Sequence, residues 1–192
     1  MSGFAAIISL GDAPPDQRTL ERMAQTLAFR GPDGTHIATK PGAGFCFTFL
    51  RTGPAPQCPS QPCSLDGRVW LLGDVRLDGR DDLRRKLEQR GDEFDGDVTD
   101  EELVLRAWRR WEKASLPELI GDYSFALWDE ETRQLWCACD LMRARPFFYA
   151  QSGGLWRRPR SVALEVSRCP CIRCARKRSR SAIISKGLRY RL

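Results

Sequence analysis

The apolar residues of this chain are divided among runs of strand or helix length, and this division most constrains its fold. The first run, residues 4–10, holds two isoleucines and ends at a glycine, which predicts a buried strand almost at the N-terminus. Further strands are predicted at residues 44–51, 68–73, 123–129, 134–140 and 146–150, and helices at 16–29, 81–89 and 99–113. Antiparallel strands with segregated helices predict an α+β domain built in layers.

Charge divides the chain into two unlike parts. Residues 1–150 hold 19 Lys/Arg and 24 Asp/Glu, whereas residues 151–192 hold 12 Lys/Arg and one acid. The basic part is rich in arginine, serine and cysteine and shows no sustained periodicity. We therefore predict one domain at residues 2–150 and a poorly ordered basic tail at residues 151–192.

Length and cysteine content place the protein among cytoplasmic globular proteins. The 192 residues contain no run of 18 apolar residues, and the N-terminus has no secretory signal pattern, so we expect a cytoplasmic protein without a membrane span. Five of the eight cysteines lie irregularly in the first 150 residues, which favours buried or half-buried thiols over a disulfide framework.

Several segments, in a fixed order and spacing, together resemble one family of enzymes. They are the strand beginning at residue 4, Arg30-Gly31-Pro32-Asp33-Gly34, Arg51, Leu71-Leu72-Gly73-Asp74-Val75, Thr99-Asp100-Glu101-Glu102-Leu103, and residues 120–129 and 140–150. The series is similar to the N-terminal glutaminase domain of asparagine synthetases, a class II glutamine amidotransferase. The resemblance covers roughly residues 1–150.

The resemblance implies an N-terminal-nucleophile hydrolase fold, a four-layer αββα sandwich, and hydrolysis of glutamine to glutamate and ammonia. In that family the initiator Met is removed, and residue 2 supplies both a cysteine nucleophile and the α-amine that acts as its base. Here the residue is Ser2. The family's Asn-Gly-Glu sequence, whose asparagine amide and glycine N–H form the oxyanion hole, corresponds to Leu72-Gly73-Asp74. Gly73 keeps its implied backbone donor, whereas Leu72 has no side-chain donor. We therefore expect a weak or inactive glutaminase.

The implied substrate-binding residues are retained in part. Arg51 corresponds to the arginine that pairs with the glutamine carboxylate, a task suited to a guanidinium. Asp74, a shorter acid than the family glutamate, and Asp100 correspond to the acids that face the substrate ammonium. Glutamine is therefore the expected ligand of these residues, with or without turnover.

The ATP-using half of an asparagine synthetase has no counterpart in this sequence. Ser152-Gly153-Gly154 begins like the family's pyrophosphate loop, but Leu155 and Trp156 follow where an Asp-Ser pair is required. We therefore expect no cofactor in this chain, with ATP and Mg²⁺ needed only by the absent synthetase domain. Because the family pattern stops after residue 154, our hypothesis is a frameshifted or truncated reading frame.

Two other hypotheses stay open. The first is a non-catalytic scaffold that docks on a separate ATP-using synthetase, as the resemblance to β-lactam synthetases and lasso-peptide cyclases implies. The second is a nucleic-acid binder that contacts phosphates through the basic tail. The scarcity of aromatic residues in that tail argues against this hypothesis. A zinc site is not expected at Cys169, Cys171 and Cys174, because no fourth ligand follows. His36, the single histidine, is predicted to be a partly exposed strand residue.

Overall fold

A computed structural model describes residues 1–9, 15–53, 60–152, 161–165 and 188–191. The strands within these ranges are β1 (Gly3–Ser9), β2 (Gly34–Lys40), β3 (Ala43–Phe49), β4 (Val69–Leu77), β5 (Gly121–Asp129), β6 (Gln134–Cys139), β7 (Phe148–Ser152), β8 (Ser161–Glu165) and β9 (Leu188–Arg191). The α-helices are α1 (Gln17–Leu27), α2 (Arg80–Glu88) and α3 (Asp100–Trp111), and short 3₁₀ turns span Ala28–Arg30 and Glu112–Glu118.

Two antiparallel sheets form the centre of the fold. The first sheet has the strand order β2-β3-β1-β8-β7 and the second has the order β4-β5-β6-β9. Strand β1 is therefore internal, hydrogen-bonded to β3 on one side and to β8 on the other. Strand β4 is an edge strand whose outer side pairs locally with Cys63 through Leu71.

The inner faces of the two sheets share one apolar core. Because successive side chains of a strand point to opposite faces, Phe4 of β1, Phe47 of β3, Leu72 of β4 and Trp128 of β5 all point between the sheets. Each of these four side chains is at most 2% exposed. This core holds the two sheets together face to face.

Helices cover the outer faces. Ala24 and Leu27 of α1 pack on Ala5 and Cys46 of the first sheet. Helices α2 and α3 cover the second sheet through a larger cluster that includes Trp108 and Phe125. The architecture is thus a four-layer αββα sandwich, as the family resemblance implies.

The local signals of the sequence are confirmed at the helix starts. The Asp16 carboxylate accepts a hydrogen bond from Thr19 N at 3.0 Å, and the Thr99 hydroxyl accepts one from Glu102 N at 3.2 Å. His36 is a half-buried residue of β2, as predicted, although the sequence patterns do not delimit that strand. Strand β2 lies at a sheet edge and is half exposed, which weakens its apolar pattern.

The four cysteines described in the domain form no disulfide bond. Cys46 and Cys137 are buried, and Cys63 and Cys139 are half-buried, in agreement with the prediction. Cys169, Cys171 and Cys174, where no zinc site is expected, lie outside the described residues, as does most of the basic tail. Within that tail the structure describes the end of β7 and the strands β8 and β9, which join both sheets.

Candidate functional site

A cavity of about 230 Å³ brings together most of the residues singled out from the sequence. It is lined by Ser2 beside β1, by Gly73 and Asp74 of β4, and by Asp100 at the start of α3. Arg80 and Arg145, which the sequence does not single out, also line it. Two hydroxyl-bearing residues, three carboxylates and several guanidinium groups thus surround a space large enough for a small polar molecule.

Ser2 is held at the cavity by the end of β3. The residue is 6% exposed, and its Oγ accepts a hydrogen bond from Leu50 N at 3.1 Å. The next residue, Gly3, lies so close to Thr48 that an added Cβ would be 2.8 Å from the Thr48 hydroxyl. The backbone at Ser2 is therefore fixed by packing. A free α-amine at Ser2 requires removal of Met1, which is half exposed.

Leu72 lies outside the lining of the cavity, although it is on the same face of β4 as Asp74. Its side chain is completely buried in the inter-sheet core, and it does not line the cavity although Gly73 and Asp74 do. At Gly73 an added Cβ would lie 2.4 Å from the Cβ of Phe125, so only glycine fits there. Strand β4 therefore presents backbone at the cavity where the resemblance implies an amide side chain as well.

The N–H of Gly73 already has an acceptor. It donates to Oε1 of Gln61 at 2.7 Å, and Gln61 Nε2 donates to Oε1 of Glu101 at 3.2 Å. Gln61 is completely buried, and Glu101 is 7% exposed and lines the cavity. Because a backbone N–H can only donate, the Gly73 contact identifies the Gln61 atom that faces it as the amide oxygen and so fixes the orientation of the Gln61 amide. The implied oxyanion donor is thus engaged inside the protein.

Asp74 is paired with Arg145. The Asp74 carboxylate and the Arg145 guanidinium form an ion pair in which the side chains are 12% and 11% exposed. Burial raises the pKa of Asp74, and the nearby cationic groups of Arg145, the chain N-terminus and Arg30 offset only part of that rise. The neighbouring cations therefore favour the ionised form of the carboxylate, against the effect of its burial.

Asp100 is also engaged. Its Oδ2 accepts a hydrogen bond from Leu77 N at 2.9 Å, and its Oδ1 pairs with Arg80, which also donates to Val98 O at 2.6 Å. Burial raises the pKa of Asp100, against the opposing effect of the Leu77 hydrogen bond and the Arg80 charge. These contacts fasten the start of α3 to the end of β4, so Asp100 has a structural role besides its place in the cavity.

Arg51 lies outside the cavity. Its side chain is exposed and its guanidinium lies 5.7 Å from the centre of the Phe49 ring, while its backbone N donates to Asp33 Oδ2 at 2.8 Å. Its neighbours Leu50 and Thr52 line the cavity and Arg51 does not. The structure thus brings Ser2, Gly73, Asp74 and Asp100 together and leaves Arg51 apart.

The described residues contain no cluster of three or more possible metal ligands. Among the helices that the structure describes, none combines the length and the apolar character needed to cross a membrane.

Comparison with known proteins gives the family. Residues 1–163 match the model of the glutamine amidotransferase domain. Among curated relatives, asparagine synthetase 3 of Bacillus subtilis is 29% identical over an alignment of 144 residues, and the match covers 72% of this chain and 23% of the relative. A putative asparagine synthetase of Mycobacterium bovis is 31% identical over an alignment of 178 residues, and the match covers 80% of this chain and 26% of the relative. The chain thus spans about a quarter of the length of these relatives.

A solved structure gives the fold. Glutamine phosphoribosylpyrophosphate amidotransferase from Bacillus subtilis, complexed with ADP and GMP, superimposes with a TM-score of 0.63 at 18% identity. The match covers 85% of this chain and 41% of that chain. Because the family model matches residues 1–163, this chain belongs to the glutamine amidotransferase domain family.

Proposed function

We propose that this domain is a glutaminase of the asparagine synthetase type in which hydrolysis of glutamine is strongly weakened or lost. The observation that carries the proposal is the state of the two implied oxyanion donors. Leu72 offers no donor and is completely buried in the inter-sheet core, and the N–H of Gly73 donates to Gln61. A developing oxyanion in this cavity would therefore lack both hydrogen bonds.

The chemistry explains the size of the expected defect. Attack of Ser2 Oγ on the glutamine carboxamide carbon would pass its proton to the α-amine of processed Ser2 and form a tetrahedral oxyanion. Transfer of that proton from the α-ammonium to the amide nitrogen would let the intermediate collapse, with the C–N bond breaking and ammonia leaving, and water would then hydrolyse the ester to glutamate and free Ser2. Losing one oxyanion donor lowers such rates by about 10²–10³. A serine hydroxyl also relies on its base more heavily than a thiol, which is partly ionised at neutral pH.

Substrate binding is part of the same proposal. Glutamine would place its ammonium toward Asp74 and Asp100 and its carboxylate toward Arg51. In support, both acids line the cavity. Each acid is already paired with an arginine, and Arg51 lies outside the lining, so binding would need side-chain rearrangement.

Release of ammonia and glutamate from glutamine tests the proposal. The protein with Met1 removed should show hydrolysis no faster than the Ser2→Ala control. The Ser2→Cys/Leu72→Asn variant restores the family's nucleophile and donor and should gain activity, provided that it unfolds cooperatively like the parent. Rapid hydrolysis by the unaltered protein that Ser2→Ala abolishes would contradict the proposed loss. A folded double variant without any gain would contradict the assignment of Ser2 and Leu72.

A non-catalytic docking function is the second candidate, and an exposed apolar surface favours it. Leu141, Met142 and Ile120 are 91%, 84% and 60% exposed beside a groove of about 680 Å³. We propose that this surface packs on an ATP-using synthetase chain, which would supply the ATP and Mg²⁺ chemistry. Binding to such a chain should be weakened by Leu141→Asp and unchanged by Ser2→Ala. Equal binding by the unaltered protein, the Leu141→Asp variant and the Ser2→Ala variant would contradict the docking function.

A further inference from the structure

The Asp74–Arg145 pair joins the two sheets across the cavity. Asp74 lies on β4, an edge strand of the second sheet, whereas Arg145 lies three residues before β7, an edge strand of the first sheet. Both side chains are nearly buried, and both line the cavity that contains Ser2. The guanidinium therefore occupies space next to the carboxylate that an incoming ligand would otherwise fill.

The loop that carries Arg145 is fastened by Asp140. Asp140 is 5% exposed, its Oδ1 accepts from Ala144 N at 3.0 Å, and its backbone carbonyl accepts from Arg143 N at 3.1 Å. Its Oδ2 accepts from Tyr123 N of β5 at 3.3 Å. These bonds hold the turn just before Arg145, so the guanidinium is presented to Asp74 by an anchored segment and not by a free chain end.

We propose that Arg145 determines ligand specificity by occupying, at Asp74, the place that the ammonium of an amino acid would take. This inference rests on the proposed function, in which the cavity is the glutamine site. Asp100 is a different case, because it also accepts from Leu77 N and fastens α3 to β4. Asp74 is the acid whose partner sits on a separate loop, so its pairing can be exchanged without dismantling a helix start.

The consequence for binding follows from competition inside one molecule. A ligand ammonium must displace a guanidinium that is always close to the carboxylate, and a pocket that is open for only about one tenth of the time loses about tenfold in apparent affinity. A ligand without an ammonium does not meet this competition. The unaltered protein should therefore bind glutamine no better than its deaminated analogue glutaramate.

Calorimetric titration of the full chain with L-glutamine and with glutaramate tests the inference. Arg145→Gln should raise the affinity for glutamine by about tenfold or more and leave that for glutaramate unchanged. Arg143→Gln, at an exposed arginine of the same loop, is the matched control and should change neither. An equal effect on both ligands, an effect of Arg143→Gln, or no effect of Arg145→Gln would overturn the inference.

Two further variants keep the test decisive. Asp74→Asn combined with Arg145→Gln removes the carboxylate that the ammonium needs, so the gain should disappear. Retention of the gain would overturn the inference. Arg145→Met keeps the aliphatic stem and provides the same comparison if Arg145→Gln does not fold.

The outcome is separable from that of the proposed function. Recovery of hydrolysis in the Ser2→Cys/Leu72→Asn variant, with no effect of Arg145→Gln on glutamine affinity, would leave the proposed function standing and remove the inference. A gain of glutamine affinity in Arg145→Gln, without any recovery of hydrolysis in the Ser2→Cys/Leu72→Asn variant, would support the role of Arg145 and contradict the proposed assignment of Ser2 and Leu72.

Discussion

Replacing Leu72 by asparagine, the change that restores an amide donor at the cavity, should strongly destabilise the fold. The Leu72 side chain is 0% exposed and belongs to the inter-sheet core with Phe4, Phe45 and Trp128. Removing a buried leucine costs about 2–5 kcal/mol. An amide left unsatisfied in its place adds about 1–3 kcal/mol. The expected loss is therefore about 3–8 kcal/mol, a large part of the 5–15 kcal/mol typical of a domain.

Urea unfolding followed by tryptophan fluorescence measures this loss, because Trp128 is completely buried in the same core. Leu72→Met, which roughly conserves volume, should cost less than about 1.5 kcal/mol and serves as the control. A loss below about 1 kcal/mol for Leu72→Asn would refute the reasoning, since the amide would then have found polar partners at the cavity. That result would also make restored hydrolysis easier to obtain.

Two other perturbations test the electrostatics of the fold. Burial raises the pKa of Asp92, but hydrogen bonds from Arg110 and Arg109 outweigh it and hold that pKa below its usual value. The stabilisation by Asp92 is therefore present above about pH 4 and lost as the pH falls through the lowered pKa. Asp92→Asn should lower the free energy of unfolding by about 1.5–3 kcal/mol at pH 7 and by much less near pH 2. Urea titrations at the two pH values measure both losses. Equal losses at pH 7 and pH 2 would show that the carboxylate charge plays no part. Burial also raises the pKa of the Cys137 thiol, so alkylation with iodoacetamide should be at least about 100-fold slower at Cys137 in the native protein than in urea, and rapid native labelling in mass spectrometric mapping would contradict its burial.

The features that the sequence predicts well depend on neighbouring residues. Asp16 and Thr99 cap their helices through residues three positions further on, and such signals can be recognised without knowing the rest of the fold. Strands β5 and β6 follow from two short apolar runs joined by a four-residue turn at residues 130–133, whereas β9 lies in the part of the chain for which no strand is predicted. These local patterns, together with the family resemblance, give the layers and their order.

The contacts that change the interpretation of the site join distant parts of the chain. Gln61 lies at the end of a loop, and nothing around it in the sequence indicates that its side chain accepts from Gly73 N. Arg145 is visible within a family-like segment, but its partner Asp74 lies in another sheet. Arg51 shows the opposite case, because its position at the end of β3 is predicted and the direction of its side chain is not.

The internal position of β1 has a consequence for synthesis on the ribosome. Residues 3–9 emerge first, yet their neighbours in the first sheet are residues 43–49 and 161–165. Strands β4, β5 and β6 and helices α2 and α3 all lie between residues 69 and 139, so three of the four strands of the second sheet and its helical cover can assemble from a continuous stretch of nascent chain. The first sheet closes only after that stretch has been made. Pairings of such long sequence separation fold slowly, and β1 must be kept from other partners during the wait.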